Sequence, residues 1–314
     1  MVGGPAEHVT RWRTVAAAGV VVVATAVAAW ALAYPQNPLG ASMIRACADV
    51  AAVVTLGLAL VPRLDDERFR VELAGRAARP LILSAAVWTV AELVRLLVTA
   101  TEEAGVPVRA LGVRTAIEFA TSTSAGRSGL VCLTAAAVSV VAAALPRNAA
   151  TGVATAGLAA LGLMGRTLVG HLSASVVGGF AIALHGLAAA VWCGGLAALV
   201  LTVERRGQWA RVLPRFSQLS LACVVVLLVC GIAGAIVTLS SPEALYATGY
   251  GRLLLAKILV TVVLTALAWS NRARWLPAAR THRATAQVSQ QRSRIELALM
   301  GVALTFAAAL AVTG

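Results

Sequence analysis

Charge is what this sequence has least of. Only 12% of its 314 residues are charged, where a soluble domain carries about 25%, so no soluble domain of useful size is expected. Lysine is nearly absent: Lys257 is the single one beside twenty-five arginines. Aromatic residues make up 5% of the chain. The five cysteines (Cys47, Cys132, Cys193, Cys223, Cys230) form no CxxC pair and imply no disulfide framework. No GxxxxGK[ST] phosphate loop occurs, which excludes the usual means of ATP hydrolysis. No hydrolytic constellation is present either, and no enzyme is expected. Histidine is limited to four positions, and His8 and His282 fall in charged polar segments. Only His171 and His185 lie at or inside apolar sequence.

What is abundant is apolar sequence. Hydrophobic residues form 60% of the chain and the mean hydropathy is +0.86. Apolar runs near 20 residues recur, the length that crosses a hydrocarbon core of roughly 30 Å as a helix. The reading is an all-α, polytopic transmembrane helix bundle of about nine spans: 14–33, 42–62, 80–100, 127–145, 149–165, 172–202, 216–240, 252–270 and 295–313. The first run is followed by Tyr34-Pro35-Gln36-Asn37-Pro38 and not by a small-residue cleavage site, so it reads as a retained span. The net charge of +13 does not point to nucleic acid, because the arginines cluster in the loops between apolar runs. Alternate segments hold eighteen basic residues against five on the other side. By the positive-inside rule this puts the N-terminus inside and the C-terminus outside. The organisation expected is a cytoplasmic tail (1–13), a five-span region (14–165) and a four-span region (166–314). Segment 101–126 is expected to hold a short helix around Val108–Ala120. Loop 63–79 reads as a solvated turn, and the most basic loop, 271–294, as one that meets anionic lipid headgroups or simply sets topology.

Five charges fall well inside the apolar runs, away from their ends. Arg45 and Asp49 are spaced i,i+4 on the second span, and Glu92 and Arg95 are spaced i,i+3 on the third. The two spans run in opposite directions, and at ~1.5 Å per residue both carboxylates lie ~10–12 Å below the outer surface. Charges at such depth pair or face a wet cavity. The expectation is an interhelical network of Arg45, Asp49, Glu92 and Arg95. Two readings stay open: a neutral clamp that fixes packing, and an acidic vestibule that attracts a cation. Lys257, about six residues into the eighth span, either pairs with one of these carboxylates or snorkels outward.

His171 and His185 are fourteen residues apart, ~21 Å on a straight helix and about 40° apart around its axis. They share a face but are too distant to bind one ion together, so they suit two stations on a path. Imidazole, thiolate and thioether ligands suit copper, the soft ones Cu(I). Met43 and Cys47 on the second span, and Met164 near His171, supply such groups, but no local pair has a diagnostic spacing. For the cysteines the plain alternative is a small buried hydrophobe. Paired histidines at this spacing also resemble two-haem cytochromes b. With His8 and His282 on the inner side, bis-histidine ligation is excluded; a single haem with His and Met ligands stays open and ranks last among the readings. Gly194, Gly195, Ala197, Ala198, Gly231 and Gly234 offer small surfaces for close helix contact.

Three runs carry a family resemblance: HGLAAAVWCGGLAALV (185–200), RFSQLSLACVVVLLVCGIAGAIVTL (215–239) and YGRLLLAKILVTVVLTALAWSNR (250–272). With Gly170-His171 they resemble the copper resistance protein D (CopD) family, closely over about 166–275 and only in layout over the first five spans. Arg215-Phe216-Ser217, Tyr250-Gly251-Arg252 and Lys257 fall in the family's order, and Cys193 stands where the family commonly has an aliphatic residue. The resemblance implies a bacterial inner-membrane protein of copper uptake or tolerance. It implies as partners a periplasmic CopC-like copper-binding protein and, in some members, a cytochrome oxidase assembly protein. The expected function is acceptance or movement of copper at the outer face near His171, with Asp49 and Glu92 favouring access and His185 deeper. The alternatives are a non-transporting assembly or docking protein, and a haem-binding redox protein.

Overall fold

The computed structural model describes residues 5–146, 148–167, 176–238, 244–281 and 285–313. His171, and with it the predicted register between His171 and His185, lies outside the described residues. So do the side chains of His8 and His282. The described chain is helical throughout, with no strand: α1 (Pro5–Ala33), α2 (Leu39–Leu60), α3 (Arg70–Ala104), α4 (Val113–Ser122), α5 (Ser124–Ala144) and α6 (Ala149–Thr167). These are followed by α7 (Val176–Thr202), α8 (Arg206–Thr238), α9 (Ala244–Ala247), α10 (Gly249–Ser270), α11 (Leu276–Arg280) and α12 (Ala286–Thr313). A turn of π-helix, Asn271–Trp275, joins α10 to α11.

Eight of these helices are long and apolar enough to cross a membrane, which makes this a multi-pass membrane protein. Where a fifth span is predicted the structure has the shorter apolar helix Ala149–Gly165, about 25 Å of helix at ~1.5 Å per residue. Several helices outrun their apolar stretch. α3 starts at Arg70, and Pro80 lies inside it where the arginine-rich sequence gives way to apolar residues. α8 passes Pro214 in the same way. The segment before the fifth helix does contain a helix, α4, close to the predicted Val108–Ala120.

The bundle is built around α2, which packs against α3, α6, α7 and α12. In lipid there is no hydrophobic drive between helices, so close contact depends on small residues. α2 and α7 make that contact at Gly57 and Gly194. A Cβ on Gly57 would collide with the Gly194 backbone, and one on Gly194 with the carbonyl of Val53. The adjacent Gly195 lies under the ring of Phe216 from α8, whose nearest atom would be 3.2 Å from an added Cβ. The two glycines after Trp192-Cys193 thus serve two different helix contacts. Leu56, Leu196, Leu199 and Met300, all 2% exposed or less, fill the core around the crossing.

The arginine-rich end is tied down by ion pairs. Asp65, 2% exposed, accepts from Arg211 Nε at 2.8 Å and Nη2 at 3.1 Å. Arg215 donates to Asp66 at 2.8 Å and to the Leu64 carbonyl at 3.3 Å, and the Arg211 guanidinium stacks 3.8 Å above the Phe69 ring. The start of loop 63–79 is therefore docked onto α8 and is not the solvated turn its composition suggests. A planar guanidinium meeting a carboxylate with two donors is the strongest form of this contact.

Candidate functional site

Four of the intramembrane charges gather on α2 and α3, against α5, toward the end of the bundle opposite the arginine-rich loops. Glu92 is fully buried. Its Oε2 accepts from Arg95 Nε at 2.9 Å and its Oε1 from Trp88 Nε1 at 3.0 Å. The i,i+3 and i,i+4 spacings put all three side chains on one stripe of α3. Arg45 and Asp49 pair along α2 at 3.8 Å, each about one-fifth exposed. These two ion pairs each close within a helix. The helices bring them side by side: Arg45 and Arg95 are within electrostatic reach of each other, and the charges of Arg45, Asp49 and Arg95 all act on the Cys132 thiol of α5. Arg95 also reaches across to Gly129 on α5.

α6 closes the cluster. Ser128 Oγ donates to the Gly165 carbonyl at 2.8 Å, and Cys132 Sγ to that of Gly162 at 3.2 Å. The Trp88 ring lies on Gly162, where a Cβ would come within 2.6 Å of it. Met164 therefore sits on the turn of α6 stitched to Cys132, and the chain runs from there toward His171. Cys132 and Trp88 were not singled out in the sequence, where each reads as an ordinary core residue. Met43 and Cys47 go elsewhere. Two residues on a helix turn about 200°, so they occupy the face of α2 opposite Arg45 and Asp49, and Cys47 is exposed.

His185 forms a second locus. Its Nδ1 is 3.1 Å from the Leu227 carbonyl of α8, and the ring rests 3.4 Å from where a Cβ on Gly231 would be. A carbonyl only accepts, so Nδ1 carries the proton. Nε2 is left with its lone pair, the form in which imidazole binds metals. Lys257 on α10 is within electrostatic reach of this ring. Further along α7, Cys193 is 6% exposed and lies within electrostatic reach of Cys223 and Glu296. Glu296, 4% exposed, accepts from Asn271 Nδ2 at 2.7 Å. It is an acidic residue at the start of an apolar run, a signal present in the sequence but masked by the six arginines before it. Among the described residues no three His, Cys, Asp or Glu side chains converge to hold a metal ion.

Two family models match the chain: copper resistance protein D over residues 210–310, and the copper resistance protein D-like N-terminal domain over residues 36–182. The chain belongs to the copper resistance protein D family. The match to the N-terminal domain covers the charge cluster, so in that half the likeness to copper resistance protein D goes beyond layout. His171 falls inside it, while the run from His185 to Val200 lies between the two matches. Several residues of the family-like runs are structural hooks here. Arg252 Nε donates to the Leu32 carbonyl at 2.7 Å and anchors α10 to α1. Ser217 accepts from Arg272 at 2.8 Å and 2.9 Å. No curated protein and no solved structure matches the chain.

Proposed function

We propose that this chain accepts copper at the end of the bundle opposite its arginine-rich loops and passes it along α7 without hydrolysing ATP. In a bacterial inner membrane oriented by the positive-inside rule, that end faces outward. The observation that carries the reading is the convergence of Asp49, Cys132 and the Met164 turn of α6 in a member of a copper resistance family. Asp49 and Glu92 supply the negative charge that draws a cation, and the sequence beyond Met164 leads within seven residues to His171. His185, whose Nδ1 donates to the Leu227 carbonyl and whose neutral ring offers Nε2 to a metal, is the deeper station. A CopC-like periplasmic protein is the natural donor at the outer face, and an oxidase assembly protein a second partner.

The competing reading is a non-transporting docking or assembly protein in which the charges only fix packing. It is favoured by the pairing of Glu92 with both Arg95 and Trp88. Copper accumulation in proteoliposomes separates the two. Transport predicts uptake by the wild type and at least about a ten-fold loss in Asp49→Asn, since ~2.5 kcal/mol of charge compensation at such depth exceeds the 1.4 kcal/mol of one decade. Absence of uptake above empty vesicles, or uptake unchanged by both Asp49→Asn and His185→Ala, contradicts it.

A further inference from the structure

A cleft of about 410 Å³ opens between α10 and α12 at the arginine-rich end, lined by Leu267, Asn271, Val288, Gln291, Arg292 and Ile295. Helix lengths fix its depth. The 28 residues of α12 span ~42 Å against a hydrocarbon core of roughly 30 Å. With Thr313 at one boundary, the other falls near Ser293. The 22 residues of α10, counted from Gly249, put the same boundary near Asn271. Two helices thus agree that Asn271 and Arg292 lie at headgroup level, with Leu267 and Ile295 one turn deeper.

We propose that this cleft binds an anionic phospholipid, its phosphodiester on Arg292 and Gln291 and its chains against Leu267 and Ile295. Arg292 is exposed, and its Nη1 donates to Asn271 Oδ1 at 3.4 Å. The Asn271 amide is itself fixed by its 2.7 Å bond to buried Glu296. This chain of contacts holds the guanidinium at the cleft, and its remaining donors suit phosphate oxygens. The π-turn makes the geometry: the wider turn at Asn271–Trp275 carries Asn271 inward to Glu296, a distortion typical of functional positions. Among the described residues no carboxylate lines the cleft, and Glu296 lies behind Asn271. The ammonium of a zwitterionic lipid finds no counter-ion there, while an anionic headgroup adds to the attraction of the whole arginine-rich face. Ile295 and Val288, 51% and 41% exposed, supply apolar walls that water serves poorly.

The test is native mass spectrometry of the full chain in detergent with phosphatidylglycerol or phosphatidylcholine. Retention of phosphatidylglycerol should exceed that of phosphatidylcholine by about five-fold, the effect of one arginine at an anionic surface. Arg292→Gln should abolish the preference, and Arg280→Gln, outside the cleft, should keep it. Ile295→Trp fills the cleft with every arginine in place and should also lose it, which keeps the test decisive if Arg292→Gln misfolds. Equal retention of the two lipids by the wild type overturns the proposal, as does a preference that survives Ile295→Trp. Displacement of phosphatidylglycerol by inorganic phosphate overturns it in favour of a free-anion site.

Discussion

Glu92 shows how one buried charge constrains its surroundings. Its two hydrogen bonds, from Trp88 and Arg95, satisfy a carboxylate that has no access to solvent. Removing one partner of a buried pair leaves the other uncompensated, a loss of about 3–5 kcal/mol, whereas neutralising both costs far less. Arg95→Ala should therefore lower unfolding stability in detergent by about that amount, and Arg95→Ala combined with Glu92→Gln should recover most of it. An Arg95→Ala variant as stable as the wild type would show that the pair contributes nothing to the fold. The charges themselves were legible in the sequence, because an ionisable residue in an apolar run has to be accommodated. Their partners were not. Trp88 and Cys132 carry no mark that separates them from core residues, and periodicity cannot say which helix lies next to which.

At the scale of the helix, position and not composition decides what a glycine does. Gly194 sits where α7 touches α2, and an added Cβ meets the Val53 carbonyl. Backbone cannot move aside as a flexible side chain can, so Gly194→Ala should cost about 1–3 kcal/mol as the helices are forced apart. Gly157 in α6 has no atom within 4 Å of its would-be Cβ. There alanine should be neutral or stabilising by about 0.5–1 kcal/mol, since glycine is the poorer helix former. Opposite signs in thermal unfolding check the contact, and equal effects would refute it. Small residues near Trp192 were readable as a packing surface, but their partner on α2 was not, since nothing local to α7 names Gly57. The helices were legible from apolar runs because a span must satisfy its own backbone. Their true ends were less so. α3 and α8 continue as helix well past the apolar stretch, where arginine is as good a helix former as leucine, and hydropathy is blind to that.

Across the whole molecule, two features stand at opposite ends of the bundle. One end is closed by arginines that pair with Asp65 and Asp66 and bind backbone carbonyls, and Arg292 lines a cleft there. The other gathers Arg45, Asp49, Glu92, Arg95 and Cys132 beneath the surface, with α6 leading from there to His171. Between them runs α7, with His185 held against α8 and Lys257 within electrostatic reach of it. On the copper-accepting reading proposed above, Asp49 stands at the approach and His185 at an imidazole station inside. The sequence carried the polarity in its arginine distribution and the family in its C-terminal runs. It could offer Met43 and Cys47 only as soft ligands on the second span, and helical geometry puts them on the face of α2 opposite Arg45 and Asp49. It did not bring out Glu296, whose carboxylate meets Asn271 at the start of the π-turn.

The most direct measurement is Cu(I) binding to the purified, detergent-solubilised chain, compared with the His171→Ala/His185→Ala variant. The account predicts binding by the wild type and a loss of at least about ten-fold in affinity in the variant, roughly the 1.4 kcal/mol of one decade. Failure of both proteins to bind copper, or equal binding by both, would contradict it and leave the docking reading in its place.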